Sequence, residues 1–590
     1  MLTFRRISQA LSFALFFVLL LYVAWPYATA FNSRVLPSKE FVPAELFLYL
    51  DPLSDVSTAI AGRHADWCLL WAAGVFLVCL FVPRAFCSHV CPLGTMLDLF
   101  HGAVGSRVRA ARKARLSRGL SVGTAPPPEG HSRIAPSGGN PVRGPWVHTR
   151  HYLLAAVLAA ALFGTLLSGY VAAIPLAMRG FVFALGPAEL AALKHTGMIR
   201  PVGWEYWIGV LLLLAVIGLG LLGRRFWCRY LCPTGSLFSL FSLARLRERQ
   251  VTPACMRCGR CARACPFDAI RDDFATRPLD CAFCRSCERA CPVGAIEFTW
   301  RLPWGIRCVP RDACPPIPPE GFIPSGGYSE DSSAYPPEGV KPSGGGGILS
   351  RETRHAAWIG SPSRRGFVAA SAAGAAIALG LPRIGRPRAA GGTVLIRPPG
   401  SVREDLFLDL CVRCGLCMQA CPGPVLHPAG LEAGIEALWT PVAVLTWAGC
   451  HQECNFCGQV CPTGAIRPLS IEAKRKARMG VAVVNTATCL PHRGERDCQL
   501  CYDECRAAGY NAIEMREIRL SVGEVPPGVV SAQEMDEASR ILAPFVDAAA
   551  CVGCGLCEYR CHTVWKKQHH ILSGSAIVVV PPSPNHALTG

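Results

Sequence analysis

Cysteine dominates this chain: there are 32 in 590 residues, and six groups of four can be read among them. Cys255, Cys258, Cys261 and Cys265 form C-x2-C-x2-C-x3-C before Pro266, and Cys281, Cys284, Cys287 and Cys291 repeat the run before Pro292. This spacing is the bacterial ferredoxin run for [4Fe–4S] clusters. Three thiolates on one tight loop each reach a different iron of a cubane. The fourth departs on the next segment and completes the neighbouring cluster. Cys255, Cys258, Cys261 and Cys291 are therefore assigned to one cluster, and Cys281, Cys284, Cys287 and Cys265 to another. Zinc uses two C-x2-C pairs across a longer loop and fits this pattern poorly.

Four further groups lie beyond residue 400. Cys411, Cys414, Cys417 and Cys421 are regular, and Cys450, Cys454, Cys457 and Cys461 are slightly stretched. Cys489, Cys498, Cys501 and Cys505 are more stretched, while Cys551, Cys554, Cys557 and Cys561 are regular but lack the following proline. Six [4Fe–4S] clusters are expected. No C-x-x-C-H occurs, which argues against attached c-type haem. A different pattern, C-x3-C-P-x-G, occurs twice: Cys87 with Cys91, and Cys228 with Cys232. These four could bind an extra iron–sulfur centre, form redox-active disulfides, or sit where their prolines end helices. Cys68, Cys79, Cys308 and Cys314 remain, the first two in an apolar stretch where packing is the default.

The elements that must position these thiols are largely apolar. Hydrophobic residues make up 51% of the chain and charged residues 17%, which points to a membrane protein. Four segments are read as spans, near 10–31, 67–83, 152–178 and 205–223, the first as an uncleaved anchor behind Arg5 and Arg6. Segment 84–150 carries ten Lys/Arg against Asp98 and Glu129, marking it cytoplasmic, and the acid-rich loop 31–66 is expected outside. The net charge of +18 thus sits beside apolar spans, where it orients a membrane protein and does not call for nucleic acid. Each C-x3-C-P motif follows a span, so residues 1–250 read as a repeated two-helix unit.

Residues 251–300 form the first two-cluster unit, and 301–360 a Pro/Gly-rich linker with the repeats PPEGFIPSGG and PPEGVKPSGG. The segment 361–390 opens with SPSRRGFVAASAAGAAIALGLP at 361–382, an arginine pair before an Ala-rich run, which reads as a twin-arginine export signal or anchor in mid-chain. A four-cluster domain at 391–575 and a tail at 576–590 follow. Gly218, Gly220 and Gly223 spell G-x-G-x-x-G, but they lie inside an apolar span, where small residues pack helices.

Residues 1–300 resemble the NapH/MauN membrane ferredoxins. Residues 361–570, with the twin arginine and RPPG at 397–400 before the first motif, resemble the NapG/MauM proteins. The resemblance implies a fusion of two proteins that normally stand apart, with the second keeping its export signal. The implied fold is a membrane α-helical domain of four transmembrane helices plus a fifth signal-anchor helix, carrying α+β ferredoxin-like domains. The implied place is the bacterial cytoplasmic membrane, multi-pass, with residues 224–360 cytoplasmic and 391–590 periplasmic. The implied function is a quinol dehydrogenase module. It would draw on the quinone pool and serve a periplasmic oxidoreductase or cytochrome of a nitrate reductase-like or methylamine dehydrogenase-like system, with no catalytic site of its own. By the same resemblance the outer motifs pair, Cys411, Cys414 and Cys417 taking Cys561, and Cys551, Cys554 and Cys557 taking Cys421. The inner motifs would pair likewise, Cys450, Cys454 and Cys457 with Cys505, and Cys489, Cys498 and Cys501 with Cys461. The alternative is copper/oxidase metallocofactor assembly, whose ferredoxins share C-x3-C-P; it expects a Met/His cluster that is not seen and gives the four-cluster domain no purpose.

Overall fold

In the computed structural model, residues 4–24, 43–64, 67–105, 107, 148–193, 202–271, 273–300, 363–380, 395–519 and 540–581 are described. The Pro/Gly-rich linker with Cys308 and Cys314, most of the basic loop 84–150 and the tail beyond 581 lie outside them.

The helical domain is built on α1 (Phe4–Ala24), α2 (Pro52–Gly62), α3 (Cys68–Phe81), α4 (Pro92–Phe100), α5 (Thr149–Leu162), α6 (Ala173–Leu193), α7 (Trp204–Gly218) and α8 (Pro233–Phe241). Only α1 and α7, the latter continued to Leu221, are long and apolar enough to cross a membrane among the described residues. The four expected spans are corrected accordingly. α3 and α5 have 14 residues each, about 21 Å at the helical rise, short of a core of about 30 Å. The stretch 152–178 breaks because Gly164 turns at φ +81° and a new helix starts at Ala173, with Pro175 in its first turn. The segment 31–66, expected as an outer loop, is partly helical. It contains α2, whose Asp51, Ser54, Asp55, Ser57 and Thr58 are all buried. Of the G-x-G-x-x-G glycines, Gly220 packs tightly on the Phe100 ring as expected, whereas Gly218 has no neighbour within 4 Å.

The arginine-pair segment forms α9 (Arg364–Gly380), a 17-residue helix laid along α5. The Ala/Gly-rich composition permits this close approach: any Cβ at Gly374 would run into the backbone of Ala156. Ser363 N–H donates to Tyr152 Oη at 3.0 Å, and Thr165 Oγ1 to Ala378 O at 3.4 Å.

The cysteine-rich units hang from short antiparallel strands. β1 (Arg247–Val251) pairs with β2 (Ile296–Trp300), Arg247 opposite Trp300, and encloses the 255–291 motifs. In the second unit β3 (Leu426–Pro428) pairs with β4 (Pro441–Ala443), and β5 (Val481–Val484) with β8 (Ile577–Val580). β6 (Ile513–Arg519) pairs with β7 (Arg540–Val546). Arg397 of RPPG ties its own segment down: it donates to both Glu404 carboxylate oxygens, to Thr440 Oγ1 at 2.9 Å and to Pro441 O at 2.7 Å, over the Phe407 ring. We predict that Gly374→Leu destabilises the helical domain by about 1–3 kcal/mol through overpacking, read as a lower thermal midpoint in detergent, whereas Gly380→Leu, at a position with no neighbour within 4 Å, leaves it unchanged.

Candidate iron–sulfur sites

Within each motif a short helix begins at the residue before the third cysteine, and a turn precedes it. Gly259, Gly415 and Gly555 make this turn at φ +68°, +84° and +75°. A left-handed residue lets the chain fold back, so that three thiols face one space. Glycine adopts it at no cost.

Four thiols line each of five cavities of about 340 to 420 Å³, far more than one ion needs. Cys255, Cys258, Cys261 and Cys291 line one, and Cys265, Cys281, Cys284 and Cys287 another, the grouping expected from the spacing. In the second unit the outer-with-outer pairing is corrected. Cys450, Cys454 and Cys457 share a cavity with Cys421, while Cys489, Cys498 and Cys501 share one with Cys561. Cys551, Cys554 and Cys557 share one with Cys505. Cys411, Cys414 and Cys417 couple electrostatically to Cys461. Motifs adjacent in sequence exchange their fourth cysteine, and the strands explain it. The β6–β7 hairpin returns the chain from Cys505 directly to Cys551. The bridge between Ser401 and Ile466, with Val402 N–H on Ala465 O at 3.1 Å, holds the entry to the first motif beside Cys461. Cys450 N–H donates to Cys554 O at 2.8 Å, joining the two halves. The four sites therefore run in the order first, second, fourth and third motif.

Among the described residues no three His, Cys, Asp or Glu side chains stand close enough to share a single ion. The thiols instead surround cluster-sized space. In five of the six sets the fourth cysteine accepts a backbone N–H: Ala269 on Cys265 and Ala295 on Cys291 at 3.3 Å, Ile466 on Cys461 at 3.4 Å, Ala512 on Cys505 at 3.3 Å and Ala576 on Cys561 at 3.4 Å. Trp565 Nε1 donates to Cys498 Sγ at 3.3 Å. Such donors stabilise negative charge on sulfur and raise cluster potentials. Burial pushes the Cys265, Cys454 and Cys554 thiols up to about 12, so loading metal there releases protons. Lys474, itself buried, opposes that rise beside Cys450 and donates to His451 O.

The first motif of the second unit is seated on the helical domain by two buried arginines. Arg413, held at φ 56° between Cys411 and Cys414, donates to Leu166 O at 3.2 Å and Glu436 O at 2.7 Å, its guanidinium over the Tyr170 ring. Arg179 reaches from α6 to Gly169 O at 2.8 Å and stacks on Trp439, 4.0 Å from the ring centre. Trp439 Nε1 in turn donates to Glu205 O at 2.9 Å.

The C-x3-C-P cysteines converge. Cys87, Cys91, Cys228 and Cys232 are all buried, and Cys232 couples electrostatically to the other three. Around them is a two-fold arrangement that the repeat hinted at. Arg225 donates to Cys87 O at 2.7 Å and Arg84 to Cys228 O at 3.4 Å, both at positive φ (52° and 54°) and both fully buried. A Cβ at Gly94 would lie 3.4 Å from Arg225, and one at Gly235 3.2 Å from Arg84, which is why each motif ends in glycine. Both guanidiniums lie over the Phe267 ring, at 5.0 and 5.1 Å, two residues from Cys265. Sequence reasoning missed these arginines, although each stands three residues before its first cysteine.

Two family profiles match, both described as a 4Fe-4S binding domain: one over residues 67–110, 206–250 and 455–479, the other over 252–271 and 406–426. The chain is similar to the methylamine utilization ferredoxin-type protein MauM of Paracoccus denitrificans, 36% identical over 32% of this chain and 71% of the relative. It is similar to the ferredoxin-type protein NapG of Escherichia coli, 37% identical over 35% of this chain and 78% of the relative. MauN of Paracoccus denitrificans is 28% identical over 36% of this chain and 61% of its own length. No solved structure matches.

Adjacent pairing makes a prediction. Cys561→Ser strips the signal of the third motif's cluster and spares the first's, while Cys461→Ser does the reverse, as followed by electron paramagnetic resonance. Lys474→Met lowers the potential of the second motif's cluster by some tens of millivolts, read by redox titration.

Proposed function

The chain belongs to the MauM and NapG ferredoxin-type proteins, and from that premise we propose that it is a membrane-bound polyferredoxin that oxidises quinol and passes the electrons outward to a periplasmic oxidoreductase or cytochrome. The observation that carries this reading is the ordered series of thiol sets starting against the helical domain and ending at Cys489, Cys498, Cys501 and Cys561. Each of six thiol sets holds a [4Fe–4S] cluster, which supplies one-electron transfer. The chain's own part is positional. Arg413 and Arg179 clamp the first site onto the helical domain, and the cysteine exchange keeps neighbouring sites adjacent. The N–H···S bonds and Lys474 set their electrostatics.

The side assignments follow the charge pattern. Arg364 and Arg365 hold the start of α9 on the cytoplasmic face, and α9, 17 residues and about 26 Å long, crosses packed along α5 and not as a free-standing span, so that residues from 391 onward are periplasmic. In this reading α9 remains part of the helical domain, because its small-residue face is filled by α5. The first half of the chain thus follows the NapH/MauN pattern and the second the NapG/MauM pattern, as a fusion. We assign Cys87, Cys91, Cys228 and Cys232 a redox role next to Phe267, since four buried thiols converge there and the buried Arg84 and Arg225 guanidiniums offset part of the cost of charge on sulfur.

Three outcomes are expected. A reporter active only outside the cytoplasm works when fused after residue 400 and fails near 300, and Arg364→Lys with Arg365→Lys abolishes it. Metal analysis of the purified chain finds about 24 irons for six cubanes and almost no zinc; about eight would remove the four-cluster unit from this account. Cys91→Ser with Cys232→Ser slows quinol-driven reduction of the exported clusters while the iron of the six sets stays in place.

A further inference from the structure

A buried carboxylate lies between the two redox faces, and no step above uses it. Asp55 is 6% exposed, and its Oδ2 has no hydrogen-bond partner. The charged group that faces it is Asp51, one turn earlier on α2 and itself fully buried. Asp51 has partners: it accepts from Leu53 N–H at 3.3 Å and Ser54 Oγ at 3.2 Å, and Thr234 of α8 faces it. Among the described residues Asp55 has no cation to balance it. A carboxyl kept in an apolar helical domain without an ion-pair partner is costly, and such groups mark proton or substrate paths.

Its surroundings point one way. Asp51 couples to Cys87, so the start of α2 reaches the C-x3-C-P thiols. At the other end, Gly62 packs on Leu410, the residue before Cys411. Asp55 stands seven residues, about 10 Å of helix, short of that end. A row of hydroxyls accompanies it: Ser57 Oγ bonds Ser168 Oγ at 2.6 Å, and Thr58 Oγ1 donates to Ser54 O at 2.9 Å and to Asp55 O at 3.0 Å. Ser57 and Ser168 are fully buried.

Resting on the quinol reading above, we propose that Asp55 is the proton acceptor for quinol oxidation and that the Ser57–Ser168 hydroxyls lead its proton towards the outer face. The chemistry balances. A quinol O–H breaks as the Asp55 carboxylate gains the proton; the carboxyl passes it on and takes the second. The two electrons leave one at a time for the chain's iron–sulfur clusters, and the quinol becomes quinone. An apolar carrier that surrenders protons with its electrons requires a buried base of this kind, whereas a one-electron donor does not.

The test uses the full-length chain with its clusters in lipid nanodiscs, duroquinol as the quinol and dithionite as a reductant that needs no proton acceptor. Asp55→Asn is expected to slow duroquinol-driven bleaching of the clusters by roughly a hundredfold or more, with dithionite reduction and iron content unchanged and with Asp55→Glu retaining most of the rate. Infrared difference spectra of the wild type should show a protonated-carboxyl band on quinol addition that Asp55→Asn lacks. Unchanged duroquinol reduction in Asp55→Asn, or equal slowing with both reductants, overturns the proposal. Should Asp55→Asn fail to hold iron, Ser57→Ala tests the same path: slower duroquinol reduction with a normal dithionite rate supports it, and a normal rate with both overturns it. A wild type that dithionite reduces and duroquinol does not overturns the quinol reading itself, and this inference with it.

Discussion

The exchange of one cysteine between neighbouring motifs is the constraint on which the cysteine-rich half depends. A cubane needs four thiolates arranged around it, and a tight C-x2-C-x2-C loop supplies three. The fourth must come from elsewhere, so every cluster site is also a tertiary contact. This compensates for thin secondary structure. β3 and β4 have three residues each and β5 and β8 four, too little to stabilise a fold alone. The buried side chains around the thiols, such as Phe456, Val460 and Ile466, line a core whose centre is the cluster space. Pairing adjacent motifs keeps each loop short, and Cys450 N–H on Cys554 O then joins the two pairs into one body.

The helical half solves a different problem with arginine. Arg84, Arg179, Arg225 and Arg413 are each 2% exposed or less, and they bind mainly backbone carbonyls, which are satisfied without a second buried charge. Arg225 is the exception, since it also pairs with Asp98 at 2.9 Å, where Arg5 joins at 2.6 Å. Three of the four sit at positive φ, a strained conformation for a residue with a side chain. The strain is held by the carbonyl bonds and by the aromatic rings beneath: Phe267 under Arg84 and Arg225, Tyr170 under Arg413. The same residue type thus fastens a ferredoxin unit to each end of the helical domain.

What could be read beforehand followed from local rules. Cysteine spacing marked all six motifs and the pairing of the 255–291 unit, because that unit has only one possible exchange. Four motifs allow several, and the choice among them rests on the β6–β7 hairpin and the Ser401–Ile466 bridge, which carry no cysteine signal. Hydropathy found α1 and α7 but joined α5 to α6 across Gly164, since an apolar turn and an apolar helix score alike. α2 was read as part of an outer loop from the excess of acids over bases in 31–66; its Ser, Thr and Asp residues are buried against one another and against Ser168. The signal that could have found it was the spacing of Asp51, Ser54, Asp55 and Thr58, one helical face.

That buried polar face bears on how charge moves through the chain. α1 is hydrogen-bonded at its start to the C-x3-C-P region, through Arg5 and Gln9 on Ser88 O, and it also packs on Leu416–Ala420 of the first outer motif. α2 bridges the same two regions with 11 residues, about 16 Å of helix, from Asp51 beside Cys87 to Gly62 against Leu410. Electron transfer between fixed centres weakens steeply with distance, and a redox group that occupies the apolar interval shortens each step. A bilayer quinol satisfies this, but only if its protons have somewhere to go, because a lone charge in hydrocarbon is costly. An arrangement with electron carriers at both faces and no base between them would stall at the first deprotonation. α2 runs through this interval with an unpaired carboxyl, so the feature that made it look like a solvated loop is the one the redox chemistry requires.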